Sequence, residues 1–312
     1  MKHKVLQYGK LMPSLEKQLA ETFDWHRLVD ETDPKAFVAA RGREYVGLAT
    51  AGFADAALIE ALPALKVISS FGVGVDKIDL HAAAQRGIPV GNTPDVLNDC
   101  VADLALGLII DVARGIGASE RYLRAGSWPR GAYPLQRKVS GKKLGIVGLG
   151  RIGHVIAKRA LAFDMDIRYH NRRPVVDTSI AHEPSLVELA RWCDFLVVIV
   201  PGGASTKHLV NEQVLDALGP EGYLINVARG SVVDEAALVR ALKDKRLGGA
   251  GLDVFENEPQ VPADLMALDN VVLVPHIASA TRETREAMGQ RVLDNLRAFF
   301  AGAPLPSAVP LP

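Results

Sequence analysis

The sequence predicts an α/β protein of two doubly wound, Rossmann-like domains with parallel sheets and a cleft between them. Three observations carry this reading. Short apolar runs alternate with amphipathic segments along nearly the whole chain, which is the pattern of βα units. The runs are continuously apolar rather than alternating, as in strands covered on both faces. A G-x-G-x-x-G pattern, Gly148-Leu149-Gly150-Arg151-Ile152-Gly153, directly follows one such run and opens an amphipathic segment. At ~150 residues per domain, 312 residues suit two domains.

In the first block, strands are expected at Lys4–Tyr8, Tyr45–Thr50 and Lys66–Phe71. Helices are expected at Pro13–Phe23, Ala54–Leu62 and Leu80–Arg86, the last stopped by Gly87, since Gly readily takes the left-handed turn after a helix. The block ends near Asn92-Thr93-Pro94. A long apolar helical pattern, Asp99–Leu123, follows. It is too apolar for a lone surface helix and should pack against a domain or a second subunit. Arg124–Ser140, rich in Gly, Pro and charge, reads as an extended loop.

The second block shows six strands: Lys143–Val147, Asp166–His170, Phe195–Val200, Gly222–Val227, Ala250–Val254 and Val271–Val274. Helices fall between them at Ile152–Ala162, Ser185–Arg191, Asn211–Leu218 and Asp234–Lys243. Phe255–Ala267 is Pro- and acid-rich and reads mostly as loop. A last helix, Thr281–Phe300, should cross back to the first block, and the Pro-rich tail Gly302–Pro312 should be extended. The expected division is therefore 1–98 plus 283–312, a flavodoxin-like substrate domain, and 99–282, a dinucleotide-binding domain, with a hinge at crossing points near Asn98 and Ala280.

Composition narrows the function classes. Lys plus Arg and Asp plus Glu are both 36, so the overall balance indicates no polyanion-binding surface. Aromatics at 6% argue against a base-stacking platform, so no nucleic-acid partner is expected. Cys100 and Cys193 stand far apart, outside any CxxC or zinc-finger spacing. No metal site is expected, and a reduced cytoplasmic chain is the simplest reading. No apolar run suits a signal peptide or reaches the ~20 residues of a membrane span.

The glycine pattern has the context of a dinucleotide site. The first Gly makes the tight turn, the second admits a pyrophosphate to the backbone, and the third lets helix and sheet pack closely. The N–H groups of the helix start, at Arg151, Ile152 and Gly153, then face phosphate. An acid about 20 positions on would bind a ribose 2′-hydroxyl, but the strand here ends Tyr169-His170-Asn171-Arg172-Arg173. Asn171, Arg172 and Arg173 suit a 2′-phosphate instead, so NADP is expected over NAD, with NAD possible.

Three residues stand at the carboxyl ends of late strands, where open α/β sheets place ligands: Arg229, Glu258 and His276. Each alone has an ordinary structural explanation. Together they answer the needs of 2-keto acid reduction. Arg229 can clamp carboxylate and keto oxygen as a fork. His276 can give the proton, since imidazole titrates near neutrality. Glu258 beside it would favour the imidazolium and fix its tautomer.

At these residues the chain resembles the D-isomer-specific 2-hydroxyacid dehydrogenases. The resemblance rests on Ser69-Ser70-Phe71-Gly72-Val73-Gly74-Val75-Asp76, Asn92-Thr93-Pro94, Gly148–Gly153, Asn226–Gly230, Gly251-Leu252-Asp253-Val254-Phe255-Glu256 and Pro275-His276. Within the family it looks closest to the NADPH-dependent glyoxylate/hydroxypyruvate reductases and the hydroxyphenylpyruvate reductases, although Gly72 stands where the plant hydroxyphenylpyruvate reductases carry Ser. The resemblance implies Arg229, Glu258 and His276 as the catalytic set. It also implies backbone N–H groups of Val73 and Gly74 on the substrate carboxylate, beside Arg229 and His276. Asp253 would hold the nicotinamide carboxamide, and Val200, Pro201, Thr206, Val227, Ala228, His276 and Ser279 would lie along the cofactor. The expected activity is NADPH-dependent reduction of small 2-keto acids, glyoxylate and hydroxypyruvate, to D-2-hydroxy acids by a homodimer joined through 99–140.

Three alternatives stay open. One is an arylpyruvate reductase of the hydroxyphenylpyruvate type. A second is a dinucleotide sensor like the corepressors that share this fold, which is weakened because no partner-binding extension flanks the core. A third is formate or phosphite oxidation, which should favour NAD and is opposed by Arg172-Arg173. A phosphoglycerate dehydrogenase with a regulatory domain is disfavoured by length.

Overall fold

The computed structural model describes residues 2–312. They form two compact units, residues up to Leu97 with Ala280–Pro312, and Asn98–Ser279. In the first unit the order is β1 (Lys4–Tyr8), α1 (Pro13–Thr22), β2 (Asp24–Arg27), α2 (Pro34–Arg41), β3 (Gly47–Thr50), α3 (Ala56–Glu60), β4 (Val67–Ser70), α4 (Leu80–Gln85) and β5 (Val90–Gly91). The strands make one parallel sheet in the order β2-β1-β3-β4-β5, the flavodoxin-like arrangement. Its two faces bury separate apolar clusters. Leu6, Leu48, Ile68 and Val90 lie on one, and Val5, Ala49 and Val67 on the other.

The C-terminal helix Arg282–Phe300 completes this unit. It packs on α1 and β4 and buries Val292, Leu293 and Leu296 completely. Each such side chain contributes about 1.5–3 kcal/mol relative to exposure, which holds the helix here although it comes last in the chain. Buried Asn295 donates to the Asn92 carbonyl at 3.2 Å and accepts from the Ser307 N–H at 3.2 Å. Val309 then donates to the Val90 carbonyl. The tail is thus stitched to the end of β5, rather than merely extended.

In the second unit follow α5 (Asn98–Arg114), α6 (Ile116–Arg124), β6 (Lys143–Val147), α7 (Arg151–Leu161), β7 (Asp166–His170), β8 (Ala181–His182), α8 (Leu186–Trp192), β9 (Phe195–Val198), α9 (Glu212–Leu218), β10 (Tyr223–Asn226), α10 (Glu235–Lys243), β11 (Gly249–Leu252), α11 (Ala263–Met266) and β12 (Val271–Leu273). Seven parallel strands run β12-β11-β10-β9-β6-β7-β8, so the strand order reverses between β6 and β9. Ligands of such sheets sit outside the carboxyl ends at this reversal. Helix α5 lies on β10 and β11. Gly251 permits this close approach, because a Cβ there would stand 3.0 Å from the Leu108 Cβ.

Several elements differ from expectation. The single helix over Asp99–Leu123 is two, broken at Gly115, whose φ of +58° lies in the left-handed region. Only α5 is buried; α6 buries no residue. The sheet has seven strands rather than six because β8, two residues at an edge, is too short to show a period. Edge strand β2, Asp24-Trp25-His26-Arg27, was hidden by its polar composition. Helix α2 is a further element, and its sequence signal is a cap: Asp33 accepts from the Ala36 N–H and Pro34 opens the helix. The Phe255–Ala267 loop holds the short helix α11. Among the described residues no helix is long and apolar enough to cross a membrane, and no cluster of His, Cys, Asp or Glu suits a metal.

Candidate active site

The loop after β6 is built for a phosphate group. Gly148 has φ +106°, and a Cβ there would stand 2.5 Å from the Ile199 carbonyl oxygen. A Cβ at Gly153 would stand 2.3 Å from the Gly148 oxygen, whereas one at Gly150 would meet nothing within 4 Å. The outer two glycines therefore serve packing and the middle one opens onto space, the division of labour that a pyrophosphate needs. Gly150 begins α7 and has no side chain to cap it, so the start of the helix presents backbone N–H groups, the usual seat of a phosphate. These residues fit a dinucleotide. Asn171 accepts the Leu149 N–H at 2.7 Å and so braces the loop from the end of β7; Arg172 and Arg173 beside it are exposed.

At the ends of β10, β11 and β12 the chemistry-bearing side chains are locked by their neighbours. His276 Nδ1 donates to Glu258 Oε2 at 2.7 Å, and Glu258 Oε1 accepts the Phe255 N–H at 3.0 Å. The ring is 46% exposed, so the pair meets solvent rather than core. His276 has φ +52°, a conformation that costs a non-glycine residue free energy and is retained mainly at functional sites. Its neighbours explain how it is held. The His276 N–H donates to the Asp253 carbonyl at 2.9 Å. The Asp253 carboxylate accepts the Ile277 N–H at 2.6 Å and the Ala278 N–H at 3.0 Å. Burial pushes the Asp253 carboxyl above the usual aspartate range, against the pull of those two N–H groups.

Arg229 leaves β10 through a turn made by buried Asn226, which accepts the Ala228 N–H at 3.1 Å and donates to the Arg229 carbonyl at 3.0 Å. Arg229 Nη1 donates to the Ala228 carbonyl at 2.7 Å. The next residue, Gly230, abuts the loop that carries Glu258: a Cβ there would stand 1.9 Å from the Phe255 carbonyl carbon. The structure thus pairs Glu258 with His276 and sets the Arg229 turn against the strand end that leads to Glu258.

Of the remaining expected cofactor residues, Val200 and Ser279 are half-buried and Pro201 is exposed. The Thr206 hydroxyl donates to the Pro201 carbonyl at 2.8 Å and so braces its own loop. Val227 and Ala228 are buried, Ala228 within the apolar core, which leaves backbone as the part that a ligand could meet. Asn226, which builds the Arg229 turn, opens the motif Asn226–Gly230. Its signal is an Asn closing an apolar strand, a common seed of Asx turns. His208, Glu235 and Glu256, which also tie this region together, gave no periodic signal.

In the first unit, β4 runs into Phe71-Gly72-Val73-Gly74. The Gly72 carbonyl accepts the Thr93 N–H at 3.0 Å and the Val73 carbonyl accepts Asn92 Nδ2 at 2.9 Å. In a planar trans peptide the N–H points opposite to the C=O. The N–H groups of Val73 and Gly74 are therefore both turned away from Asn92 and Thr93, as consecutive donors suited to an anion.

A family model described as "D-isomer specific 2-hydroxyacid dehydrogenase, NAD binding domain" matches residues 106–278. The chain is 49% identical to a hydroxyphenylpyruvate reductase of Plectranthus scutellarioides, covering 96% of this chain and 97% of the relative. It is 48% identical to a glyoxylate/hydroxypyruvate reductase A of Arabidopsis thaliana, with the same coverage. Among solved structures it is similar to the NADPH-dependent glyoxylate/hydroxypyruvate reductase of Sinorhizobium meliloti in complex with NADP and malonate. That match has a TM-score of 0.95 and 47% identity, over 99% of this chain and 97% of that one.

Proposed function

The chain belongs to the D-isomer-specific 2-hydroxyacid dehydrogenase family, and we propose that it reduces glyoxylate and hydroxypyruvate with NADPH to D-2-hydroxy acids. The observation that carries this reading is the 2.7 Å His276–Glu258 pair at the carboxyl ends of a dinucleotide-type sheet. The unit Asn98–Ser279 is the dinucleotide-binding domain, and the unit holding Phe71–Gly74 is the substrate domain.

NADPH, when bound, supplies the hydride to the carbonyl carbon of the substrate. The protein's own residues do the rest. With Nδ1 committed to Glu258, the imidazolium of His276 holds its transferable proton at Nε2 and passes it to the keto oxygen. Glu258 fixes that tautomer and the orientation of the ring. Arg229 offers planar donors to the carboxylate and the keto oxygen, and the Val73 and Gly74 amides hold the carboxylate. Arg172 and Arg173 would hold the 2′-phosphate, and Asn171 steadies the loop on which the pyrophosphate would sit.

A steady-state panel of glyoxylate, hydroxypyruvate and hydroxyphenylpyruvate, each with NADPH and NADH, tests the reading. Efficiency should be highest for the two small acids with NADPH; a preference for the aryl acid would move the assignment to the arylpyruvate reductases. Neutral replacement of both Arg172 and Arg173 should cost NADPH efficiency about tenfold or more, from the loss of charge-assisted contacts worth ~1.5–3 kcal/mol each, and should leave NADH nearly untouched. Equal losses with both cofactors would remove the 2′-phosphate assignment.

The assembly we propose is a homodimer in the cytoplasm, joined through 99–140. Ile116, Leu123, Trp128 and Leu135 are all exposed, Leu135 fully so. Such a concentration of large apolar side chains in one segment suits an interface. Cys100 and Cys193 are not joined in a disulfide, in keeping with a reducing compartment. Light scattering at micromolar concentration should give a dimer, and Leu123→Glu with Leu135→Glu should shift it to monomer; a monomeric parent protein would sink the proposal.

A further inference from the structure

We infer that His208 and Glu256 form a clasp that positions the catalytic loop, holding Glu258 where it can orient His276. The inference rests on the acid–base reading given above. His208 Nε2 donates to Glu256 Oε1 at 2.9 Å across 48 residues of sequence. It joins two segments that leave different strands: the stretch after β9 that carries Pro201 and Thr206, and the loop after β11 that carries Glu258. The two residues bond to each other while His276 bonds to Glu258, so the role of the pair is to position the loop rather than to react.

The anchorage around Glu256 is doubled. Its N–H donates to Glu235 Oε2 at 3.1 Å, from the first turn of α10. Burial pushes the Glu235 carboxyl up, opposed by that N–H group and assisted by the charge of Glu256. Glu235, Glu256 and Glu258 are thus three carboxyl groups on or against one short loop, and His208 is the ring that meets the middle one. His208 itself has φ +50°, with its N–H donating to the Ser231 carbonyl at 2.8 Å. A non-glycine backbone held in the left-handed region marks a conformation that its surroundings enforce. Ser231 directly follows Gly230, the residue pressed against the Phe255–Glu256 peptide. The Arg229 turn, the His208 segment and the Glu258 loop therefore share one small set of ties.

The exposure of the pair decides what those ties are for. The side chains of His208 and Glu256 are 37% and 27% exposed, and ion pairs that meet solvent add little to stability. A contact with so small a stabilising effect, joining the catalytic loop to the segment after β9, is explained by geometry: a misplacement of about 1 Å can cost ~10²-fold in rate.

The test compares Glu256→Ala, Glu256→Gln, His208→Ala and the double alanine variant in the full-length protein. Glu256→Ala and His208→Ala should each lower kcat about tenfold, with KM for hydroxypyruvate and the melting temperature close to the parent values. Glu256→Gln, which keeps an acceptor for His208, should recover most of the loss. The double variant should be no worse than either single one, as expected for partners in one contact. Hydrogen exchange supplies a readout independent of turnover: amides of 255–258 should exchange faster in both alanine variants and not in Glu256→Gln. Parent-like kcat and exchange in Glu256→Ala, additive losses in the double variant, or a Gln variant as impaired as the alanine would each overturn the clasp. If His276→Ala kept full turnover while 255–258 still loosened in Glu256→Ala, the acid assignment would fall and the anchoring role of the pair would stand.

Discussion

His276→Ala should reduce 2-keto acids some 10²–10⁴-fold more slowly than the parent protein, the usual contribution of a positioned general acid, while NADPH still binds. The separation follows from the local structure. The ring is bound to Glu258 and reaches solvent, whereas the phosphate-binding loop is braced from elsewhere, by Asn171 and the packing at Gly148 and Gly153. Glu258→Gln should be milder, since the amide keeps an oxygen that can accept from the ring. Retention of near-normal turnover by His276→Ala would remove His276 as proton donor, and a Glu258→Gln protein as impaired as His276→Ala would show that the carboxylate does more than orient the ring.

Gly230→Ala should be nearly as damaging, although the residue carries no chemistry. The added methyl would lie 2.0 Å from the Phe255 carbonyl oxygen and 2.3 Å from the Glu256 nitrogen. These are backbone atoms, with no rotamer to swing away, so the 255–256 peptide has to move. That displacement carries the Glu256 N–H that Glu235 accepts, and pulls on the neighbouring Phe255 N–H that Glu258 accepts. Overpacking of this kind typically costs ~1–3 kcal/mol, or about 2–12 °C in melting temperature at ~2–4 °C per kcal/mol. The rate should fall by about a hundredfold, since a shift near 1 Å is enough for that. A Gly230→Ala protein with parent melting and parent turnover would contradict the close approach of these two loops.

Much of this was legible before any coordinates. Continuous apolar strands and the glycine pattern were enough to read two parallel sheets, because burial on both faces leaves a strong compositional mark. The short edge strands Asp24–Arg27 and Ala181–His182 were not legible, since an edge strand is held by backbone pairing and needs no apolar run. The break at Gly115 was missed because apolar residues continue on both sides of it; only the glycine hinted at a left-handed turn. At the site, Arg229, Glu258 and His276 stood out as charged residues just beyond strand ends. Their supports did not. Asp253 read as a contact for the cofactor, whereas its carboxylate also holds the backbone of the His276 loop. The pairing of His208 with Glu256 spans 48 residues, and no local pattern encodes a contact at that separation.

The most direct measurement uses NADPH carrying deuterium at its transferable position, with hydroxypyruvate as substrate and the product analysed for label and configuration. The expected product is D-glycerate with one deuterium on C2, delivered from the nicotinamide to the former carbonyl carbon. Unlabelled glycerate, the L isomer, or tight NADPH binding without any product would contradict the account, and the last of these would turn the assignment toward a dinucleotide sensor.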